Sequence, residues 1–234
     1  MRPRALVFDV FGSVVDWRGS IVRDLGAWGA AQGVQADWAA LADAWRSLYQ
    51  PQMERVRSGA IAWRKLDALH LEALHELLPL FGLTHLSPAQ IAHVNQVWHR
   101  LDAWPDSRAG LTRLKHRYFI ATLSNGNISL LADMARHAGL PWDHLFSAET
   151  FGHYKPQPEA YLGVAQQLDL APAEVMMCAA HNGDLAAARA AGLATAFFPR
   201  PTEHGPGQTS DLAATQAWDV IAFDIDDLAS QLGC

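Results

Sequence analysis

Cysteine is nearly missing from this chain of 234 residues: Cys178 lies inside an apolar run and Cys234 is the last residue. Two such residues exclude a disulfide framework and have no metal-ligand spacing, so a protein of a reducing cytoplasm is expected. Charge is scarce as well. Only 18% of the residues are charged, against a usual share of about a quarter. What charge there is runs acidic, 24 Asp plus Glu against 18 Lys plus Arg, a formal net of −6. That balance excludes a protein built to neutralise phosphate backbones, and nucleic acid is not expected as a partner. Long hydrophobic runs are also missing: no stretch reaches the roughly 18 apolar residues of a membrane helix. The start, MRPRALVFDVFG, is interrupted by Asp9 too early for a signal peptide or anchor, so no membrane association is expected. There is no internal repeat or low-complexity tract, and Pro199–Gly207 is the one Pro/Gly-rich loop.

What is plentiful is apolar material, 50% of the chain, enough for one large core and a modest second module. It comes in two textures. Ala5–Val10 is short, apolar and β-branched, and Gly12 ends it, the pattern of a buried parallel strand followed by a loop. Similar runs recur at Phe119–Leu123, Val175–Ala179, Thr195–Phe198 and Val220–Phe223. Helical stretches lie between them at Asn127–Ala138, Glu159–Leu168 and Leu185–Ala191, with Gly139 and Gly192 placed as stops. This alternation predicts βαβ units, an α/β Rossmann-like doubly wound parallel sheet.

From Trp17 to Trp104 the alternation stops and only helical periodicity remains. Leu41, Trp45 and Leu48, then Leu66, Leu69, Ala73 and Leu77, recur at the spacing of amphipathic helices, and Ser87-Pro88 starts another at N-cap and N1. The expected organisation is a core of residues 1–16 and 105–234 with an all-helical cap, 17–104, inserted after the first strand. Ligands of open parallel sheets bind beyond the carboxyl ends of the strands. There the sequence offers Asp9, Phe11, Gly12 and Ser13, then Ser124-Asn125-Gly126, Lys155-Pro156, and His181-Asn182-Gly183-Asp184. Taken singly, each reads as a cap, a turn or a solvated charge. Together, at four strand-end loops, they predict one polar site, with Lys155 a candidate partner for the costly buried charge of Asp9.

FDVFGSVVD, SNGN, YKPQPEAY and HNGD resemble, in order, the four motifs of the haloacid dehalogenase superfamily. The resemblance spans essentially the whole chain and implies a Rossmann-like core, an aspartate nucleophile and a cap. Phosphatases of that superfamily carry a second Asp two positions after the nucleophile to protonate the leaving group, whereas this chain has Phe11. A halide leaves as a stable anion and needs no such acid. The last loop supplies only Asp184, with Ala180 and His181 where magnesium-binding relatives place acids. The resemblance therefore points to the branch similar to L-2-haloacid and haloacetate dehalogenases, with no metal and no cofactor.

Carried over residue by residue, the resemblance implies that Asp9 attacks C2 of a short 2-haloacid, expels halide with inversion, and forms an ester that water opens to a 2-hydroxy acid. Lys155 then keeps Asp9 ionised, and Asp184 positions or deprotonates the water. Ser124 and Asn125 hold the substrate carboxylate or halide at a helix N-terminus, Ser13 stands in place of the family's Thr, and Tyr161 supports Lys155. Arg46, in AWRSLYQ, falls on the family's substrate arginine, whose fork suits a carboxylate or halide. Trp45, Trp63 and Phe11 are candidates for an apolar wall that excludes water. His181, three residues before Asp184 and with an ordinary pKa near neutrality, is a candidate for assisting the hydrolytic step. The family also suggests a homodimer. Two other readings stay open: a magnesium-dependent small-molecule phosphatase, and an anion-binding protein without turnover.

Overall fold

In the computed structural model, which describes residues 3–234, the apolar run Ala5–Phe8 forms β1, buried along its whole length. It pairs in parallel with β2 (Phe119–Ser124) on one side and β4 (Val175–Ala179) on the other, so it lies inside the sheet where two covered faces demand apolar residues. With β3 (His144–Ser147), β5 (Ala194–Phe197) and β6 (Val220–Ile221) the sheet has six parallel strands in the order β3-β2-β1-β4-β5-β6. The order reverses at β1, which leaves a crevice at its carboxyl end.

Between β1 and α5 (Ser107–Lys115) run α1 (Trp17–Gln32), α2 (Trp38–Arg57), α3 (Leu66–Leu77) and α4 (Pro88–Asn95). Ser87 caps α4 through a box with Gln90, and Pro88 occupies its first turn. Then follow α6 (Ile128–Ala138), α7 (Ala148–Phe151), α8 (Pro158–Gln167), α9 (Asn182–Ala190) and α10 (Ile225–Gln231). Among the described residues, no helix is long and apolar enough to cross a membrane.

The two-residue period of β1 divides the core. Ala5 and Val7 pack with Tyr161 and Val164 of α8 and Leu185 and Ala188 of α9. Leu6 and Phe8 join the opposite cluster, with Leu111 of α5, Met134 of α6 and Leu228 of α10. That cluster continues without a break into Trp17, Leu41, Trp45 and Trp98 of the helical segment. Each of these indoles buries on the order of 200 Å², roughly 5 kcal/mol of gross apolar transfer before entropy is charged against it.

Three elements depart from expectation. β3 is an additional strand: HLFS begins with an exposed His144 and is too short to show an apolar run. β6 stops at Ile221, because Phe223 is exposed and Asp224 already caps α10. The helix expected from Leu185 begins at Asn182 instead, which puts Asp184 in its first turn.

Candidate active site

Asp9 leaves the end of β1 with its N–H donating to the Cys178 carbonyl of β4 at 3.1 Å, so the neighbouring strand orients it. Its carboxylate is buried, 7% exposed, on the wall of a cavity of about 480 Å³ at the carboxyl edge of the sheet. Lys155, in the loop between α7 and α8, donates from Nζ to Asp9 Oδ1 at 2.9 Å and to Asp184 Oδ2. Its backbone is fixed by Asn125 Oδ1, which accepts from its N–H at 2.8 Å, and by Arg57 of α2, which donates to its carbonyl at 3.0 Å. Ser13 donates to Asp9 Oδ2 at 2.8 Å and accepts from Ala180 N–H at 2.9 Å. His181 Nδ1 lies 3.0 Å from the same Oδ2.

Burial pushes the Asp9 carboxyl upward, but the positive charge of Lys155 and the bond and charge of His181 outweigh it and hold Asp9 well below the usual carboxylate range. Burial likewise opposes the charge on Lys155, and the Asp184 and Asp9 carboxylates overcome it and push the ammonium upward. Asp184 is raised by burial and by the Asp9 charge, against Lys155. A buried carboxylate kept ionised by neighbouring cations is what a carboxylate nucleophile requires.

The strand-end residues named from sequence come together, with differences in detail. Asp9, Phe11, Arg46, Asn125, Lys155, Tyr161, His181 and Asp184 all line the cavity. Ser124 does not, because its buried hydroxyl is taken up by the Gly126 N–H at 3.1 Å. Tyr161 donates to Asp184 Oδ1 at 2.6 Å, so it supports Asp184 and not Lys155 directly. Trp45 and Trp63 also do not line the cavity. Trp45 is fully buried with its N–H on the His70 carbonyl at 2.9 Å, and Trp63 packs on Tyr154 with ring centroids 4.7 Å apart. The Trp45 indole serves packing within the helical segment, whereas Trp63, only partly buried, packs that segment against Tyr154; Phe11 and Tyr49 supply the apolar wall instead.

Arg46 reaches the cavity from α2, its guanidinium carbon 4.2 Å from the centroid of the Tyr49 ring and 5.4 Å from that of Trp17. Among the described residues its only carboxylate neighbour is Glu203, at 3.8 Å, and its Nη1 is buried with no hydrogen-bond partner among them. Such a donor wants an anion.

Glu203 was not legible in sequence. It sits in the Pro/Gly-rich loop, 1% exposed, and accepts from Trp17 Nε1 at 3.0 Å while its Oε2 lies 2.8 Å from His181 Nε2. Arg200 anchors that loop, pairing with Asp106 at 2.7 and 2.8 Å and donating to the Ser13 carbonyl at 2.9 Å. Gly12 has φ +85°, and a Cβ there would collide with the Glu203 carboxylate, so glycine is needed both for the turn and for the close approach. The contrast of an acidic residue buried in a loop of otherwise exposed composition is visible only in three dimensions.

The profile of the haloacid dehalogenase-like hydrolases matches residues 3–192, and the chain belongs to that family. Its fold is similar to the crystal structure of L-2-haloacid dehalogenase PA0810, with a TM-score of 0.96, 53% identity and 98% of each chain covered. It is similar also to the defluorinating L-2-haloacid dehalogenase Rha0230, with a TM-score of 0.96, 50% identity, and 99% of this chain and 96% of that one covered. Among curated sequences, the (S)-2-haloacid dehalogenase of Xanthobacter autotrophicus is 30% identical over 204 residues, 84% of this chain and 75% of the relative.

Proposed function

We propose that the protein is a hydrolytic dehalogenase of short 2-haloacids, working through an ester on Asp9 and without a metal ion. The observation that carries this reading is the pairing of an ionised, buried Asp9 with a partnerless guanidinium nitrogen on Arg46 in one cavity. The similarity to two L-2-haloacid dehalogenases at 50% identity or more supports it. In this reading residues 17–104 are a cap that closes the pocket from above, carrying Arg46 and Tyr49, and residues 105–234 with 1–16 are the catalytic core.

The substrate carboxylate pairs with Arg46, which leaves C2 facing Asp9. An Asp9 oxygen forms a bond to C2 as the carbon–halogen bond breaks, with inversion, and the halide leaves as an anion. Phe11, 2% exposed, stands where a phosphatase would keep its acid, and this displacement requires none. Water then attacks the Asp9 carbonyl carbon, the carbonyl-to-oxygen ester bond breaks, and the 2-hydroxy acid departs with Asp9 restored. The donor set does not suit magnesium, which wants several free oxygen ligands. The facing oxygens of Asp9 and Asp184 are bridged by the Lys155 ammonium, and the remaining Asp9 oxygen is taken by Ser13 and His181.

The test is halide release from chloroacetate, fluoroacetate and both enantiomers of 2-chloropropionate, with EDTA present. The wild type should release halide from at least one of them and Asp9→Asn from none. Equal release by the variant, or no halide but magnesium-dependent phosphate release from phosphate esters, would overturn the reading.

A further inference from the structure

Asp184 is poorly placed to take a proton from water. One of its oxygens holds the Lys155 ammonium and the other accepts from the Tyr161 hydroxyl at 2.6 Å. His181, by contrast, bridges the nucleophile and a second buried acid: Nδ1 is 3.0 Å from Asp9 Oδ2, and Nε2 is 2.8 Å from Glu203 Oε2. A water approaching the acyl carbon of an esterified Asp9 lies within reach of Nδ1, while Glu203 orients the ring from behind and favours its protonated form.

We propose that His181 is the base of the ester-opening step, that Glu203 is its positioning residue, and that esterification of Asp9 is the event that frees His181 to act. This rests on the reading of Asp9 as an ester-forming nucleophile. In the free enzyme His181 lies between two carboxylates. Burial disfavours its charge, but Glu203 and the bonds to Asp9 and Glu203 raise it to about 10, so it begins the cycle protonated and gives Asp9 a donor. Forming the ester removes the Asp9 charge and with it one of the two anions that hold the proton. The groups that remain around the ring and its partner are Glu203, with Arg46 at 3.8 Å and His204 at 3.5 Å from it, and Lys155 beyond Asp9. The imidazolium loses its proton more readily in that state. That proton goes to solvent; the neutral ring then takes one proton from the attacking water at Nδ1 and passes it to the leaving oxygen of the 2-hydroxy acid, and the second water proton, left on the Asp9 carboxyl, moves to the ring and restores the starting imidazolium and carboxylate. The base is thus withheld until there is an ester to open.

Glu203→Gln separates the two half-reactions because residue 203 does not touch Asp9. With saturating chloroacetate or 2-chloropropionate, rapid-quench halide release by the variant should show a burst of one equivalent per active site. Steady turnover should fall by about 10²-fold or more, and the intact-protein mass should show the accumulated Asp9 ester. Glu203→Asp should recover part of the turnover. Loss of the anion also lowers the basicity of His181, so the limb along which ester opening speeds up with pH should move toward acid by about one pH unit or more. A Glu203→Gln variant with unchanged turnover, or with burst and turnover slowed alike, overturns the pair. So does ester opening that slows as pH rises through this limb, which would make His181 a hydrogen-bond donor to the developing oxyanion. Where Glu203→Gln does not fold, His181→Gln read for ester accumulation decides the same question. Absence of any halide release by the wild type, in the first turnover and in steady state alike, overturns the underlying reading instead, and the mass spectrum distinguishes the cases.

Discussion

Asp9 stays ionised inside the protein because two cations outweigh its desolvation, and Arg46 stays ready for an anion because none of the described residues takes up its buried Nη1. Lysine at position 46 would keep the charge but lose the planar fork that lies over Tyr49. Arg46→Lys should therefore raise KM for 2-haloacids by about tenfold or more with a smaller effect on kcat; unchanged KM would remove Arg46 from substrate binding. His70 carries a separate consequence. It is stacked on Trp98 with centroids 4.3 Å apart, and neither ring nitrogen has a hydrogen-bond partner among the described residues. Burial pushes its pKa down to about 3, with the Arg46 charge adding and Asp67 opposing. The unfolded chain takes up a proton below about pH 6.5, whereas folded His70 does not until about pH 3. Its contribution to stability is thus complete above the unfolded pKa and is lost as pH falls toward the folded one, about 2 kcal/mol by pH 5. In urea unfolding, His70→Leu should narrow the stability difference between pH 7 and pH 5 by about that amount; an unaltered difference would contradict the assignment.

Between elements, the contact of α3 with α6 ties the helical segment to the sheet. Asp67 Oδ2 accepts from Asn127 Nδ2 at 2.8 Å, Asp67 N–H donates to Asn127 Oδ1 at 3.1 Å, and His99 links Asp67 at 3.1 Å to Asp133 of α6 at 2.9 Å. Asp67→Ala should cost about 1–3 kcal/mol in urea unfolding and raise KM more than it lowers kcat, because the helical segment that carries Arg46 and Tyr49 loses an anchor. No loss of stability would show that this contact is idle. Most elements could be read from periodicity, since buried parallel strands write themselves as apolar runs and amphipathic helices as stripes. β3 could not, because an edge strand of four residues with an exposed first position carries no periodic signal. The start of α9 was misread because Asn182, Gly183 and Asp184 have loop composition. Asn182 belongs to the helix by virtue of distant partners, its side chain bonding to Asp211 at 2.8 Å and accepting from Trp218 Nε1 at 3.0 Å.

Over the whole molecule, the strand order that reverses at β1 brings Asp9, Asn125, Lys155 and His181 from four separate loops to one edge. Those residues were legible because each follows or faces a strand end at a position that topology predicts. Glu203 was not, since it reaches the site from a loop after β5 whose composition says only that the chain turns. Residue type alone points Trp45 and Trp63 to the pocket; the helical core takes Trp45 instead, and Trp63 is half-buried against Tyr154. Dehalogenation through Asp9 or by water directly differs in which atom attacks carbon. A single turnover with enzyme in excess over 2-chloropropionate, carried out in heavy-oxygen water, decides it by mass spectrometry. Attack by Asp9 gives unlabelled 2-hydroxy acid and one heavy oxygen retained in the peptide containing Asp9. Label in the first-turnover product, with none on Asp9, would mean that water displaces the halide directly and would contradict the account.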